Sequence, residues 1–352
     1  QGTLFGRNTT GGAVSVIMAK PRDEFHVKGE ATIGSFDRKT AKVIVDIPLS
    51  ERVLSKFAAF YVEDEGYLKN TANGERLNGE RNYGFRGDLR FLATDKLTID
   101  VAGEYTNNTG TYLGMSSIAT PSSTFKTTTT PVFGKTNLTL PKTKCDGDPV
   151  NILLTQKAGL CSLSEGIATT VNATYAAETG TLMAIFGYRK LDQQFINQYN
   201  TNGTALYNSY ILTDATVNKQ FSGELKWSSS LLEDRLKYVA GVFYLQEKNK
   251  DAMADFQSTV AGASAFNLLQ DRHFHQKVET AAIYLQADYE AVPGLIATLG
   301  GRYTYETKKL GFETSDRFPG FGFDSAAAIA AGIPLKLTQK RFTPRVALSY
   351  KV

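Results

Sequence analysis

The feature that most constrains the fold of this chain is a repeated alternation of apolar and polar residues with a period of two. Between Leu295 and Glu306, for example, mostly apolar residues alternate with mostly polar ones. The same pattern runs through residues 82–91, 97–106, 220–227, 282–289 and 343–350. Because successive side chains of a β-strand point to opposite faces, each segment predicts a strand with one apolar and one polar face.

The length and chemistry of these strands favour an all-β, antiparallel transmembrane barrel. The predicted strands have about 10 to 13 residues, whereas strands of globular proteins usually have 5 to 6. Their polar faces carry charges such as Arg86, Glu104, Glu224 and Arg302, as a wet lumen allows, and aromatic residues recur near strand ends. A soluble β-structured binding protein, with these apolar faces buried in protein, is the alternative.

The connections between the predicted strands alternate in length, which indicates one end with tight turns and one with large loops. Short connections are predicted at residues 50–51, 94–96, 178–180, 229–235 and 290–294. Long connections are predicted at residues 66–81, 108–166, 195–217, 249–276 and 310–340, whereas residues 35–37 form a short one. We therefore expect about twelve strands, beginning near Phe25, with periplasmic turns and extracellular loops.

Composition excludes several other classes. Aromatic residues make up 11% of the 352 residues, so intrinsic disorder is excluded, and no apolar run is long enough for a membrane-spanning helix. The net charge of +4 comes without a dense Lys/Arg block, so nucleic acid is not predicted as a partner. No catalytic motif is present, and neither an enzyme nor a cofactor is predicted. His273 and His275 flank Phe274, but we expect surface or structural roles rather than a metal site.

The two cysteines of the chain, Cys145 and Cys161, lie in one polar stretch. Because no other cysteine is present, a local disulfide between them is the simplest interpretation, and it points to an oxidising compartment. Closure of so short a loop contributes about 3 kcal/mol in the chain-entropy description. Two free thiols are the alternative.

The first 21 residues contain a glycine-rich segment, a short apolar run and a Lys-Pro pair. This segment resembles the end of the plug domain of TonB-dependent outer-membrane receptors. The matching residues are Gln1, Gly2, Leu4, Phe5, Gly6, Arg7, Asn8, Gly11, Gly12, Ala13 and Pro21. Residues 46–50, 65–67 and 343–346 also resemble segments of that family.

The resemblance implies an architecture larger than this chain. Such receptors are 22-stranded barrels filled by an N-terminal plug. Residues 1–22 would then be the C-terminal end of the plug and residues 23–352 the first part of the barrel. The TonB box and about ten further strands would lie outside the sequence, so we expect the chain to be a piece of a longer protein. Its implied partners are outer-membrane lipids of a Gram-negative bacterium and the TonB complex.

The resemblance also suggests residues for two functional roles. Arg7 in the plug remnant would contact carboxylates of the barrel wall, for which Glu104, Asp100 and Glu224 are candidates; the alternative is a solvated arginine. In the long loop at residues 108–166, aromatic side chains could stack on a ligand or pack the loop on itself. These aromatic candidates are Tyr112, Phe125 and Phe133.

The function implied by the resemblance is active import of a scarce ligand. The ligand would be a ferric siderophore, haem, a cobalamin-like molecule or an oligosaccharide. Because a plugged pore does not pass such a ligand by diffusion, energy relayed through TonB would have to rearrange the plug. A passive porin-like channel, with a free lumen, is the alternative function.

Overall fold

Twelve strands of the chain form one antiparallel sheet, in which each strand pairs with the next and the sheet does not close on itself. The computed structural model describes residues 16–70, 73–111, 135, 136, 142, 145, 159–198, 209–258, 267–315 and 323–350. In pairing order the sheet contains β1 (His26–Gly34), β2 (Arg38–Ser50), β3 (Val53–Glu63), β6 (Glu80–Leu92), β7 (Leu97–Gly110), β9 (Cys161–Ala177), β10 (Gly180–Gln198), β11 (Ser209–Leu231), β12 (Leu236–Ser258), β13 (Asn267–Val292), β14 (Leu295–Glu313) and β15 (Lys336–Tyr350). The predicted barrel wall, its strand number and its starting point near Phe25 are confirmed.

Within the described residues, three short strands and one helix lie outside this sheet. The strands β4 (Leu68–Asn70), β5 (Arg76–Leu77) and β8 (Lys135–Thr136) form a small separate sheet. The helix α1 (Ser325–Ala330) begins where the Asp324 side chain accepts a hydrogen bond from the backbone N–H of Ala327 at 2.7 Å. Among the described residues, no helix is both long and apolar enough to cross a bilayer.

The two faces of the twelve-stranded sheet differ as the alternation predicts. One face exposes large apolar and aromatic side chains, such as Phe186, Phe221 and Ile283. The other face carries charged residues such as Glu224 and Arg302, which make contacts within the wall. In an outer-membrane barrel the exposed apolar face meets lipid and the polar face lines the lumen.

The short turns lie where they were predicted. The connection between β3 and β6, residues 64–79, is close to the predicted 66–81, whereas the other four long connections were predicted too long. The strands β10 to β14 have 19 to 26 residues, more than the roughly 9 to 11 that a strand needs to cross a bilayer. Residues 195–198 and 209–217, for example, are paired strand rather than loop. Strands that rise above the bilayer have water on both sides, so they lose the alternation that marks a membrane strand while keeping the backbone hydrogen bonds of the ladder.

A small hydrophobic core holds these extended strand ends together. Its fully buried members include Ile196 of β10, Ile211 of β11 and Phe256 of β12. Leu160 and Cys161 join the same core, and Cys145 packs against it. The end of the sheet that carries the long connections is therefore stabilised by packing among its own strands.

The predicted disulfide is confirmed, because Cys145 and Cys161 are joined by an S–S bond of 2.07 Å. Replacing both cysteines with alanine is expected to loosen the start of β9, because the bond closes a loop of 16 residues onto the core. We expect the amides of residues 161–164 to exchange with deuterium roughly 100-fold faster, equivalent to about 3 kcal/mol. Unchanged exchange there, with the wild type in oxidising buffer as the control, would contradict this stabilising role.

Candidate functional site

The segment before β1, residues 16–25, contacts the lumen face of the wall, and we call it the strap. Its main contact is Asp46 of β2, whose side chain is 1% exposed. Oδ1 of Asp46 accepts a hydrogen bond from the backbone N–H of Arg22 at 3.1 Å, and Oδ2 lies 3.5 Å from Nδ1 of His26. A buried carboxylate is costly without such partners, so Asp46 is a specific attachment point for the strap.

Lys56 of β3 completes this attachment. It lies directly opposite Asp46 in the β2–β3 register, and its Nζ is 3.4 Å from Oδ1 of Asp46. The same Nζ donates hydrogen bonds to the carbonyl oxygens of Ala19 and Lys20, at 3.0 and 2.7 Å. Asp46 and Lys56 thus neutralise each other and together hold the strap backbone from both its N–H and its C=O groups.

A second contact joins the strap to the wall further along the sheet. Nζ of Lys20 lies 2.8 Å from Oδ2 of Asp100 on β7, and Asp100 also accepts a hydrogen bond from Nε of Arg90 at 2.9 Å. On the same face, Nη1 of Arg86 donates to Oε2 of Glu104 at 2.8 Å. The lumen wall near the strap is therefore a network of paired charges of both signs.

A buried cluster lies on the lumen face of β11 to β14. The Tyr284 hydroxyl donates a hydrogen bond to Oε1 of Glu224 at 2.6 Å. The Arg302 guanidinium lies over two rings, with Cζ 5.4 Å from the centroid of Phe243 and 5.7 Å from that of Tyr284. Arg302 is only 4% exposed, so these aromatic faces replace much of the water around its charge.

The first lumen cavity lies at the extracellular end of the wall, beside the loop-bearing ends of β2, β6, β7 and β9. It has a volume of about 670 Å³. Across it, Nη1 of Arg38 pairs with Asp64 at 2.5 Å and with Glu80 at 2.9 Å. Further lining residues are mostly hydroxyl and amide side chains: Ser35, Asn78, Asn82, Asn108, Ser162 and Ser164.

A second lumen cavity of about 380 Å³ lies near the extracellular ends of β10 to β13. The Thr216 hydroxyl lies 2.8 Å from Oδ1 of Asp214 and 3.0 Å from Oδ2 of Asp251. Burial raises the pKa of both carboxyl groups, and the charge of Asp214 raises the pKa of Asp251 further. Both lie more than 14 residues from the short-turn ends of their strands, whereas about 9 to 11 residues suffice for a strand to cross a bilayer.

The predicted contact residues fall into two groups. Glu104 and Glu224 lie on the lumen face, where their described partners are Arg86 and Tyr284. Arg7 and the aromatic candidates Tyr112, Phe125 and Phe133 lie outside the described residues, so their roles stay predictions. In the described part of the chain, no group of three or more His, Cys, Asp or Glu side chains is placed to hold a metal.

Two lumen residues that hold the strap were not identified as site residues from the sequence, namely Asp46 and Lys56. One signal was available, because each is a charged residue within a mostly apolar strand, and an isolated charge there usually has a buried partner. The pairing itself depends on the β2–β3 register, which fixes that these two side chains face each other.

Comparison with known proteins gives one family match. The family described as TonB dependent receptor-like, beta-barrel, matches residues 50–352. A search of the curated proteins found no match. The family match covers most of the chain and includes the strands of the second lumen cavity, whereas Ser35 and Arg38 of the first cavity precede it.

Solved structures with the same fold come from several bacteria. The ferric yersiniabactin uptake receptor FyuA from Yersinia pestis superposes with a TM-score of 0.69 at 16% identity, covering 98% of this chain and 47% of FyuA. The siderophore receptor PiuA from Acinetobacter baumannii superposes with a TM-score of 0.70 at 12% identity, covering 100% of this chain and 50% of PiuA. The ferric-catecholate import receptor Fiu from Escherichia coli K12 superposes with a TM-score of 0.67 at 11% identity, covering 99% of this chain and 50% of Fiu. The chain therefore spans about half the length of these proteins, and at these identities the likeness is one of fold.

Proposed function

Because this chain belongs to the family of TonB-dependent receptor β-barrels, we propose that it is part of an outer-membrane receptor that imports a scarce ligand with energy transmitted by TonB. In this proposal the twelve strands are the first part of the barrel, and the strap is the end of a plug. The proposed location is the outer membrane of a Gram-negative bacterium, and the proposed role is transport rather than catalysis.

The observation that carries this proposal is the attachment of the strap to the lumen wall. The buried Asp46–Lys56 pair and the Lys20–Asp100 ion pair fix a segment that precedes the barrel against its inner face. A passive porin has no need of such a segment, whereas a plug that moves needs a fixed end where it joins the wall. The attachment supports the receptor over the porin-like alternative.

The ligand class that we propose is a ferric siderophore. PiuA is named as a siderophore receptor, FyuA as a ferric yersiniabactin uptake receptor and Fiu as a ferric-catecholate import receptor. The lumen cavity at the extracellular end offers both hydrogen-bond donors and hydrogen-bond acceptors, from Arg38, Glu80 and several hydroxyl and amide groups. Such a lining suits an oxygen-rich ligand, because it can satisfy both hydroxyl and carbonyl groups.

Uptake measurements on the full-length protein that carries this chain test the proposal. Cells that express it would be offered radiolabelled ferric siderophores, haem, cobalamin and an oligosaccharide, with and without a functional TonB system. We expect accumulation of a ferric siderophore that stops when TonB is removed. Accumulation that does not depend on TonB, together with rapid sugar uptake in liposome swelling, would identify a passive channel instead.

A further inference from the structure

Six lysines on six consecutive strands lie directly opposite one another across the sheet, and we call them the lysine row. They are Lys190, Lys219, Lys248, Lys277, Lys309 and Lys336, on β10 to β15. Neighbouring strands are about 4.8 Å apart, so the row extends over about 24 Å. Like charges directly opposite each other destabilise a sheet, so an uninterrupted row of this kind needs an explanation.

The lysine row lies on the lipid-facing side of the wall, just beyond its exposed apolar residues. On each strand, the lysine shares the outward face with an exposed apolar or aromatic residue two to six positions nearer the periplasmic end. These residues are Tyr188, Phe221, Tyr244, Ile283, Tyr305 and Phe342. The lysines lie 10 to 15 residues from the periplasmic ends of their strands. For strands tilted by about 40°, this places them about 25 Å or more above that end, at the outer head-group level.

The row is only partly neutralised by the protein. Nζ of Lys190 lies 2.5 Å from Asp192, and Nζ of Lys277 lies 2.8 Å from Glu279. Among the described residues, the other four lysines of the row have no carboxylate within 4.0 Å. Lys250 and Lys340, on the same face of β12 and β15, add further positive charge.

The four unpaired lysines form two neighbouring pairs. Lys219 and Lys248 are one pair, and Lys309 and Lys336 are the other. The centres of the two pairs are three strand spacings apart, about 14 Å, with the neutralised Lys277 between them. Two ammonium groups balance one phosphate monoester, which carries −1.5 to −2 charges at neutral pH. The wall therefore presents two places that match a phosphate, at the depth of lipid head groups.

We propose that the two lysine pairs bind the two phosphates of one bisphosphorylated lipid of the outer leaflet. Its acyl chains would lie against the apolar face below the row, and its head group would bridge the pairs. Phosphate neutralises the row, and the hydrocarbon below it favours a lipid over a free anion. This inference rests on the outer-membrane location proposed above but not on TonB-dependent transport, so a failed uptake experiment leaves it untouched.

Binding to the full-length protein in detergent tests this inference. Bisphosphorylated lipid A and its monophosphoryl form would be titrated against the wild type and against a variant with Lys219→Gln and Lys248→Gln. From about 1 kcal/mol for each lysine near an anionic head group, we expect the wild type to bind the bisphosphoryl form roughly 30-fold more tightly than the monophosphoryl form. The variant should bind both forms equally, because only one pair remains.

The matched control carries Lys28→Gln and Lys42→Gln, the same change in charge at exposed lysines of β1 and β2. It should discriminate between the two lipids as the wild type does. Equal binding of both lipids by the wild type would overturn the inference, as would discrimination retained by the row variant. Displacement of the lipid by inorganic pyrophosphate at a similar concentration would also overturn it, because the site would then be one for a free anion.

Discussion

Replacing Asp46 with alanine is expected to free the strap from the barrel wall while the twelve-stranded sheet stays paired. The substitution leaves Lys56, whose side chain is 11% exposed, without its counter-charge, and it leaves the N–H of Arg22 without its acceptor. Breaking a buried ion pair by removing one partner costs about 3 kcal/mol or more. Trypsin should therefore cleave after Arg22 in the folded, full-length protein roughly 100-fold faster than in the wild type.

Two further substitutions distinguish the effect of losing the buried Asp46–Lys56 pair from the effect of losing any charge near the strap. Asp46→Asn keeps an acceptor for the Arg22 N–H and should give an intermediate cleavage rate. Lys20→Gln removes the second strap contact, but Lys20 is about half exposed and Asp100 keeps Arg90, so cleavage after Arg22 should change less than about 5-fold. Equal acceleration by Asp46→Ala and Lys20→Gln would show that Asp46 is not the main attachment point.

The barrel wall could be predicted from the sequence because lipid and lumen impose opposite chemistry on alternate residues. In β14, for example, Leu299 and Tyr303 face lipid while Thr298 and Arg302 face the lumen. The strand can therefore be recognised from its own sequence, without knowledge of its neighbours. The short turns followed from the same pattern, because the alternation stops abruptly at each of them. One local rule thus accounts for the strand number and for the order of the sheet.

The ends of the long strands and the contacts between charged residues could not be predicted, because they depend on strand register and on surroundings that a local pattern does not contain. The end of β12, residues 249–258, carries no two-residue alternation, as expected of a strand end without lipid on one side, and it was predicted to be loop. The lysine row joins residues that are 27 to 32 positions apart, and only the hairpin registers bring them into one line. Asp46 and Lys56 meet for the same reason.

Phe256→Ala is expected to open the extracellular strand ends while the membrane part of the sheet is unchanged. Phe256 is fully buried, and it belongs to the core that Ile196, Ile211 and Leu160 also form. Truncation of a buried phenylalanine costs about 3 to 5 kcal/mol, because a cavity remains where the ring was. The amides of residues 209–213 and 252–256 should then exchange at least 100-fold faster, and those of residues 223–228 at the wild-type rate.

The matched control is Phe221→Ala, which makes the same truncation on β11 at a side chain that is 44% exposed on the lipid face. It leaves no protein cavity, so exchange at the strand ends should stay within a few-fold of the wild type.

Combining Phe256→Ala with the loss of the Cys145–Cys161 bond tests the core further, because Cys161 packs in it. If one core holds the strand ends, the two changes should not add, since each removes support from the same contacts. Strictly additive effects would mean that the disulfide and Phe256 stabilise separate parts of the extracellular region.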